Sequence, residues 1–288
     1  MEKRVILAAI VALALASLAC GITFNLPETD VKTGPMVTKE ISAPAPEDAS
    51  QTTDLTLSFA AGELRLEPGA QGALVTGEAR YNVADLEPKV SVEEGQVRIE
   101  TGDLEISGIP NFNDEVRNEW ELKLGETPIR LSIKAGAYKG AYELGGLRLE
   151  ALEVDDGAAD VRLSFATANL AEMETLDYTT GASKVAISGL ANANFERFIF
   201  KSGAGDYTLD FSGELKRDAT VTIDSGMSNF RLIVPAGVNT RLFFDGGLVN
   251  IDLGGAWEKS GDTYLLAGEG PTLTINVNLA AGNLELSN

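Results

Sequence analysis

The residues whose spacing in this sequence suggests a functional site are aspartates. Asp224 and Asp245 lie two residues before a glycine in two successive copies of a repeated pattern, and Asp206 and Asp210 belong to the copy before. Two carboxylates stacked in this way would repel each other unless they shared a cation, and carboxylate oxygens suit Ca²⁺. The alternative interpretation is a pair of solvated turn aspartates. The sequence leaves both interpretations open.

Histidine is absent from the 288 residues, and Cys20 is the single cysteine. The chain therefore has no Ser-His-Asp triad and lacks the commonest metal ligand. We expect no catalytic residue, no cofactor and no enzymatic activity. Acidic pairs in a groove would nevertheless suit a polysaccharide hydrolase or lyase. A carbohydrate-active enzyme is therefore the alternative to a binding protein.

The charge balance is strongly acidic, with 43 Asp and Glu against 23 Lys and Arg and a net charge of −20. Nucleic-acid binding requires a basic surface, so this balance argues against a nucleic-acid partner. It also argues against direct adhesion to anionic lipids or teichoic polymers, unless cations bridge the two surfaces. We expect the charge to keep the protein soluble and to discourage end-to-end association of its strands.

One pattern occurs five times between residues 152 and 253. Each copy has a glycine, with apolar residues five and three positions before it and four and six positions after it. The glycines recur every 21 to 24 residues, which is typical of a stacked repeat. They are Gly157, Gly181, Gly203, Gly226 and Gly247.

Apolar residues two apart lie on one face of a strand, so each copy predicts a short strand, a corner and a second short strand. Glycine is expected at the corner because it reaches positive φ at no steric cost. Stacked copies would share one interior, and the fold class predicted is all-β, a β-solenoid with a repeat of about 22 residues. The predicted core includes Tyr178 and Tyr207 and one column of aliphatic residues: Leu163, Ile187, Leu209, Leu232 and Leu253.

The predicted solenoid covers residues 54–288, with a strand-rich cap at 54–117 and the repeat region at 118–288. Shortened copies of the pattern lie around Gly62 and Gly282, as expected for the ends of a stack. Trp120 and Trp257 flank the full repeats, and we expect them to pack in the caps rather than to bind sugar.

Residues 1–20 have the features of a secretory signal. A basic start precedes an unbroken apolar run at residues 5–15, which is too short to span a membrane. The last four residues, SLAC, resemble the lipobox of bacterial lipoproteins, which implies lipid attachment at Cys20. Residues 21–53 are rich in Thr, Pro, Ala and acidic residues and are predicted to be an extended linker, with one short strand within 36–42.

Three segments resemble the toast-rack family of β-repeat domains in bacterial envelope proteins. They are NEWELKL at 118–124, PIRLSIKAGA at 128–137 and LRLEALEVDDGAAD at 147–160. The family includes parts of LiaF-type envelope-stress regulators and candidate adhesins. It has no agreed catalytic motif, so the resemblance implies a fold and not an activity.

These features together predict a non-catalytic, lipid-anchored protein of the bacterial cell envelope, located outside the cytoplasm. Its partners are expected to be the membrane, through the anchor at Cys20, and an envelope protein or cell-wall polymer that contacts the solenoid. Self-assembly is an open alternative, and so is an accessory role in sensing envelope stress.

Overall fold

The computed structural model describes residues 28–30, 32–102, 109–111 and 116–288, and nearly all of its regular structure is β-strand. Two short 3-10 helices lie at Ala84–Leu86 and Leu190–Ala193. The strands are β1 (Glu28–Asp30), β2 (Val37–Pro44), β3 (Thr53–Pro68), β4 (Ala73–Tyr81), β5 (Pro88–Glu93), β6 (Gln96–Thr101), β7 (Ile109–Asn111), β8 (Asn118–Leu124), β9 (Ile129–Glu143), β10 (Leu149–Ser164), β11 (Met173–Ser188), β12 (Phe195–Asp210), β13 (Ala219–Ile233), β14 (Gly237–Leu253), β15 (Glu258–Ser260), β16 (Thr263–Leu266) and β17 (Gly268–Ser287).

The chain divides into two compact units. The first comprises Met1–Lys32 and Glu105–Asn113, and in it β1 pairs with β7 in parallel. The second comprises Thr33–Leu104 and Asp114–Asn288 and contains one sheet of 15 strands. The strand order along the main path of that sheet is β15-β16-β14-β17-β13-β12-β11-β10-β9-β3-β8-β4-β2, and β6 pairs with both β3 and β5.

Parallel strands form the body of the second unit, from β3 through β9, β10, β11, β12, β13 and β17 to β14. Between β10 and β11 the register places Leu152 beside Leu176 and Val161 beside Val185. Equivalent positions of the repeat therefore lie next to each other in space. The predicted all-β fold of stacked coils is confirmed.

Each repeat runs as one long strand that bends at its corner. In β10 the side chains of Leu152, Val154, Val161 and Leu163 are all buried. Val154 and Val161 are an odd number of residues apart, so in a straight strand they would point to opposite faces. The bend between them turns both halves of the strand towards one interior, as the spacing of the apolar pairs predicted.

The reason for glycine at the corner differs from the prediction. None of the five repeat glycines has a positive φ. A Cβ atom at Gly181 would instead lie 2.5 Å from the carbonyl oxygen of Gly157 in the neighbouring coil, and one at Gly203 would lie 2.7 Å from the carbonyl oxygen of Gly181. At these corners glycine avoids a clash with the carbonyl oxygen of the neighbouring coil.

The copies at the two ends of the pattern are full repeats with alanine at the corner. Phe59 pairs with Ala135 and Ala61 pairs with Ala137, which places Ala60 beside Gly136. In the same way, Ala280 is the residue of β17 at the corner next to Gly226. The prediction of shortened units centred on Gly62 and Gly282 is therefore wrong. Their buried pairs follow the complete pattern: Leu55/Leu57 with Leu64/Leu66, and Ile275/Val277 with Leu284/Leu286.

The order of stacking departs from the order of the sequence at the C-terminal end. β17 lies between β13 and β14, and the aliphatic column runs Leu163, Ile187, Leu209, Leu232, Leu286, Leu253. The first four predicted members of the column are buried, whereas Leu253 is 43% exposed. The prediction for Leu253 is wrong because its strand ends the stack.

At the opposite end, β3 is covered in two halves. β6 pairs with residues Asp54 to Ser58 of β3, and β8 pairs with Glu63 to Pro68. β4 then pairs with β8, and β2 with β4, both antiparallel. β2 (Val37–Pro44) overlaps the short strand expected within residues 36–42, and it belongs to the same sheet as the repeats rather than to a separate linker.

Candidate interaction surface

The outer side chains of the parallel strands form columns, and in one of these columns the first five members alternate in charge. The column three residues after the corner contains Glu63, Lys139, Asp160, Lys184, Asp206, Asn229, Asn283 and Asn250. Neighbours in such a column lie about 4.8 Å apart, so alternation avoids repulsion between like charges. The stack therefore presents a regular polar surface over its second half-strands.

The structure does not place Asp224 and Asp245 together, as the hypothesis of a shared cation requires. Asp224 lies beside Asn278 of β17, and Asn278 lies beside Asp245. The Nδ2 of Asn278 donates a hydrogen bond to Oδ1 of Asp224 at 3.3 Å. The expectation that Asp224 and Asp245 stack directly is wrong, because β17 separates their strands by two sheet spacings, roughly 10 Å. The shared-calcium hypothesis thereby loses its geometric basis.

The other two aspartates of that hypothesis have local partners. Asp206 accepts a hydrogen bond from Nδ2 of Asn229 at 2.7 Å. Asp210 accepts one from the backbone N–H of Ser212 at 2.8 Å. No group of three or more potential metal-ligating side chains occurs within the ranges that the structure describes.

The aromatic residues singled out in the sequence pack inside the protein, as predicted. Trp120 is fully buried, with its ring 5.1 Å from that of Phe59 in an edge-on arrangement, and Trp257 is 7% exposed. Tyr178 and Tyr207 are also buried. These rings contribute to the core and its caps, and they are not displayed for stacking on sugars.

A buried carboxylate, Asp156, was not anticipated from the sequence. Its Oδ2 accepts hydrogen bonds from the hydroxyls of Tyr178 at 2.8 Å and Tyr138 at 3.3 Å. Its Oδ1 accepts from the hydroxyl of Thr180 and, at 3.4 Å, from that of Ser183. The signal was present in the alternation of β10, since Asp156 follows Leu152 and Val154 at the next inward position.

Burial dominates the electrostatics of this cluster. Burial raises the pKa of Asp156 above its usual 3.8, although the hydroxyl donors oppose the shift. Burial also raises the pKa of Tyr178, and the nearby Asp156 carboxylate adds to that increase. Every hydroxyl that binds Asp156 comes from β9 or β11, the two strands that pair with β10. The hydrogen bonds of Asp156 therefore link the coils of β9, β10 and β11, and the cluster has a structural role.

The end of the stack at β14 is open over half of its length. β16 pairs with β14 only from Thr240 to Phe243, and Phe244 donates its N–H to the carbonyl of Asp262. Beyond Phe244 the described residues supply no second partner strand. Leu248 is 86% exposed and Leu253 is 43% exposed. Apolar side chains and one row of backbone groups therefore face outward together.

Other outermost strands carry residues that discourage pairing. β2 contains Lys39 and Pro44, and β15 is three residues long and contains Glu258 and Lys259. Lysine, proline and short length are common means of protecting a sheet edge. The second half of β14 has neither lysine nor proline, and its charged side chains are those of Asp245 and Asp252.

Cys20, the predicted site of lipid attachment, lies outside the described residues. Among the residues that are described, no helix is long and apolar enough to cross a membrane.

The sequence of residues 32–188, just over half of the chain, matches the family described as the N-terminal domain of toast_rack, DUF2154. The chain belongs to the toast-rack family. None of the curated proteins matches the toast-rack chain in sequence.

Three solved structures illustrate its structural similarity. The first is a "putative cell adhesion protein" from Clostridium sporogenes, with 15% identity, a TM-score of 0.47 and coverage of 88% of the toast-rack chain and 99% of the other chain. A "putative adhesin" from Bacteroides fragilis has 10% identity, a TM-score of 0.33 and coverage of 90% and 99%. A "putative lipid binding protein" from Parabacteroides distasonis has 11% identity, a TM-score of 0.34 and coverage of 90% and 99%.

Proposed function

We propose that this toast-rack protein is a non-catalytic, lipid-anchored component of the bacterial cell envelope that binds a protein partner through the open end of its stack. The observation that carries the proposal is the second half of β14. There the N–H and C=O groups of an edge strand lie beside an 86% exposed Leu248. The free N–H and C=O groups of an edge strand form their best hydrogen bonds with another polypeptide backbone. A protein therefore fits this edge better than a polysaccharide does.

The positions of the polar side chains support binding rather than catalysis in this proposal. The buried carboxylate of Asp156 is enclosed by hydroxyls of its neighbouring strands. The aspartates on which the carbohydrate-active alternative depended, Asp224 and Asp245, are separated by Asn278.

The anchor is tested at Cys20. Replacing it by serine, Cys20→Ser, removes the thiol to which acyl chains attach, and we expect the protein to move from the membrane fraction to the soluble extracytoplasmic fraction. Immunoblots of fractionated cells measure the distribution. A Cys20→Ser protein that stays with the membrane would refute the anchor.

The binding edge is tested by a photo-crosslinking amino acid placed at position 248 in intact cells. The matched control is position 227, because Met227 is 70% exposed but lies on β13, which is paired on both sides. We expect a defined protein adduct from position 248 and none from position 227. Equal labelling from both positions, or no adduct from either, would contradict the proposed binding edge.

A further inference from the structure

In the open half of β14, apolar and polar residues alternate in the same order in both directions along the strand. Residues 249–253 are Val, Asn, Ile, Asp and Leu. Val249 and Ile251 are half-buried and share a face with Leu253, while Asn250 and Asp252 point outward between them. Read from either end, the segment alternates apolar and polar groups about Ile251. A strand with this property can pair with a copy of itself.

An antiparallel pairing of two such strands fixes which residues face each other. With the two-fold axis at Ile251, Val249 of each copy faces Leu253 of the other, and Asn250 faces Asp252. The apolar column of each core then continues across the junction. Each polar contact joins an amide donor to a carboxylate acceptor, and no two carboxylates face each other.

The sheet already uses this amide–carboxylate contact between its own strands. Asn229 of β13 donates to Asp206 of β12 at 2.7 Å, and Asn278 of β17 donates to Asp224 of β13 at 3.3 Å. The same pair of side chains, Asn250 and Asp252, is therefore suited to bridge two strands of different molecules. At present Asn250 donates to Asp252 of its own strand at 3.0 Å.

We propose that a second copy of this chain occupies the open edge, forming a two-fold symmetric dimer in which the β14 strands pair antiparallel about Ile251. The proposal rests on the proposed function, since it names the partner of the same edge. The dimer joins two stacks into one continuous sheet, and it covers Leu253 together with the backbone groups that β17 and β16 leave unpaired.

A single cysteine tests the register of this dimer. In the paired strands the two Ile251 Cα atoms are about 4.5–5.5 Å apart, within the range that a disulfide spans. Val249 is the matched control, because its counterpart in the other copy is displaced by four residues, roughly 13 Å along the strand. The full chain is expressed with Ile251→Cys or Val249→Cys, and cells are oxidised and examined on non-reducing gels.

We expect a reductant-sensitive dimer from Ile251→Cys and none from Val249→Cys or from the unaltered chain, whose only cysteine is Cys20. Dimers from both variants in equal amount would indicate random collision and overturn the proposal. Failure of Ile251→Cys to form a dimer, with its melting temperature close to that of the unaltered protein, would also overturn it.

Surface substitutions at Asn250 test the same pairing without changing a half-buried residue. Asn250→Lys creates two Lys–Asp contacts per dimer, and we expect the dimer to be about 2- to 30-fold tighter. Asn250→Asp places two carboxylates opposite each other, and we expect it to weaken the dimer by a similar factor. Thr220→Lys, on an exposed position of β13, controls for net charge. Sedimentation of the detergent-solubilised full chain measures each dissociation constant.

The Asn250 series overturns the proposal if Asn250→Lys and Thr220→Lys change the dissociation constant equally, since the effect would then come from net charge alone. The photo-crosslinking outcome separates the two proposals. An adduct from position 248 with a different protein would leave the binding function standing and remove the self-pairing. No adduct at all would remove both.

Discussion

Steric contact with the neighbouring coil disfavours any side chain at the glycine corners of the repeat. The carbonyl oxygen of one corner residue approaches the Cα of the next, and a Cβ added at Gly181, Gly226 or Gly247 would come within 2.5 Å of that oxygen. Such a distance cannot be relieved by rotating a side chain, because the obstructing atom belongs to the backbone. The glycine column therefore permits the close stacking on which the shared core depends.

Gly181→Ala is expected to lower the free energy of unfolding by about 1–3 kcal/mol, since the coils must separate to admit a methyl group. Urea denaturation followed by circular dichroism measures the change. Gly34→Ala is the control, because a Cβ there would lie 3.6 Å from the nearest carbonyl oxygen. A Gly181→Ala protein as stable as Gly34→Ala would show that the corner is looser than the structure indicates.

The carboxylate of Asp156 is stabilised by hydroxyls but still loses hydration on folding. Burial is the largest influence on it and raises its pKa above 3.8. A carboxyl group with a raised pKa favours the folded state most at pH values below its unfolded pKa. That contribution is lost as the pH rises through the folded pKa.

Asp156→Asn removes this titration and keeps the size of the side chain. We expect the stability of the unaltered protein, relative to Asp156→Asn, to fall as the pH rises from about 3.8 towards neutrality. Urea unfolding of both proteins across this interval measures the difference. Asp155→Asn, which changes the exposed neighbouring carboxylate, controls for the loss of one charge. A relative stability that rises with pH would contradict the assignment.

At the scale of elements, buried asparagine side chains secure the segments that return the chain from one strand to the next. Asn169, between β10 and β11, accepts a hydrogen bond from the N–H of Leu149 at 2.9 Å. Its Nδ2 donates to the carbonyl oxygens of Leu149, Ala171 and Ala193, at 2.8, 3.0 and 3.3 Å. One side chain thus joins three successive coils on the side opposite the glycine corners.

Asn169→Ala leaves these buried backbone groups without their partner, and we expect it to cost about 2–4 kcal/mol of unfolding free energy. Asn229→Ala is the control, since Asn229 is exposed and its loss is expected to change stability by less than about 0.5 kcal/mol. Thermal and urea unfolding compare the two variants. Equal effects would show that water replaces the side chain at Asn169.

The order of the last strands follows from the hairpin of β15 and β16. β16 folds back antiparallel along the outer edge of β14 from Thr240 to Phe243. The strand that follows, β17, therefore pairs with β14 on its other edge and enters between β13 and β14. The hairpin is short, so it covers only the first half of β14 and leaves the second half as an edge.

At the scale of the whole molecule, net charge opposes the association that the open edge favours. Each copy carries a formal charge of −20, and two copies in contact repel each other. Alternation in the column three residues after the corner reduces repulsion within one stack, where Lys139 and Lys184 flank Asp160. It does not offset the repulsion between two molecules.

Salt is therefore expected to tighten the proposed dimer. At 0.15 M ionic strength the screening length is about 8 Å, and at 1 M it is about 3 Å, so repulsion between the two acidic chains falls over this range. Sedimentation of the full chain from 0.05 to 0.5 M NaCl measures the dissociation constant, which we expect to decrease. A dimer that dissociates as salt rises would indicate that ion pairs, rather than strand pairing and apolar contact, hold it together.

The sequence by itself determined the repeat, the inward residues and the bend, because alternation within a strand and a constant spacing of glycines are local properties. The column from Leu163 to Leu232 and the packing of Trp120 followed from these properties. The inward position of Asp156 and the alanine corners at Ala60 and Ala280 obey the same periodicity, so the sequence contained them as well.

Only the tertiary structure decided which strands are neighbours at the end of the stack. Pairing in register depends on long-range backbone contacts, and several orders of β13, β14 and β17 satisfy the same periodicity. The insertion of β17 placed Asn278 between Asp224 and Asp245 and left Leu253 at an exposed edge. Both outcomes have the same physical cause, which is that β17 pairs with the edge of β14 that faces β13. This pairing separates the two aspartates, and it leaves the other edge of β14 available for the proposed binding.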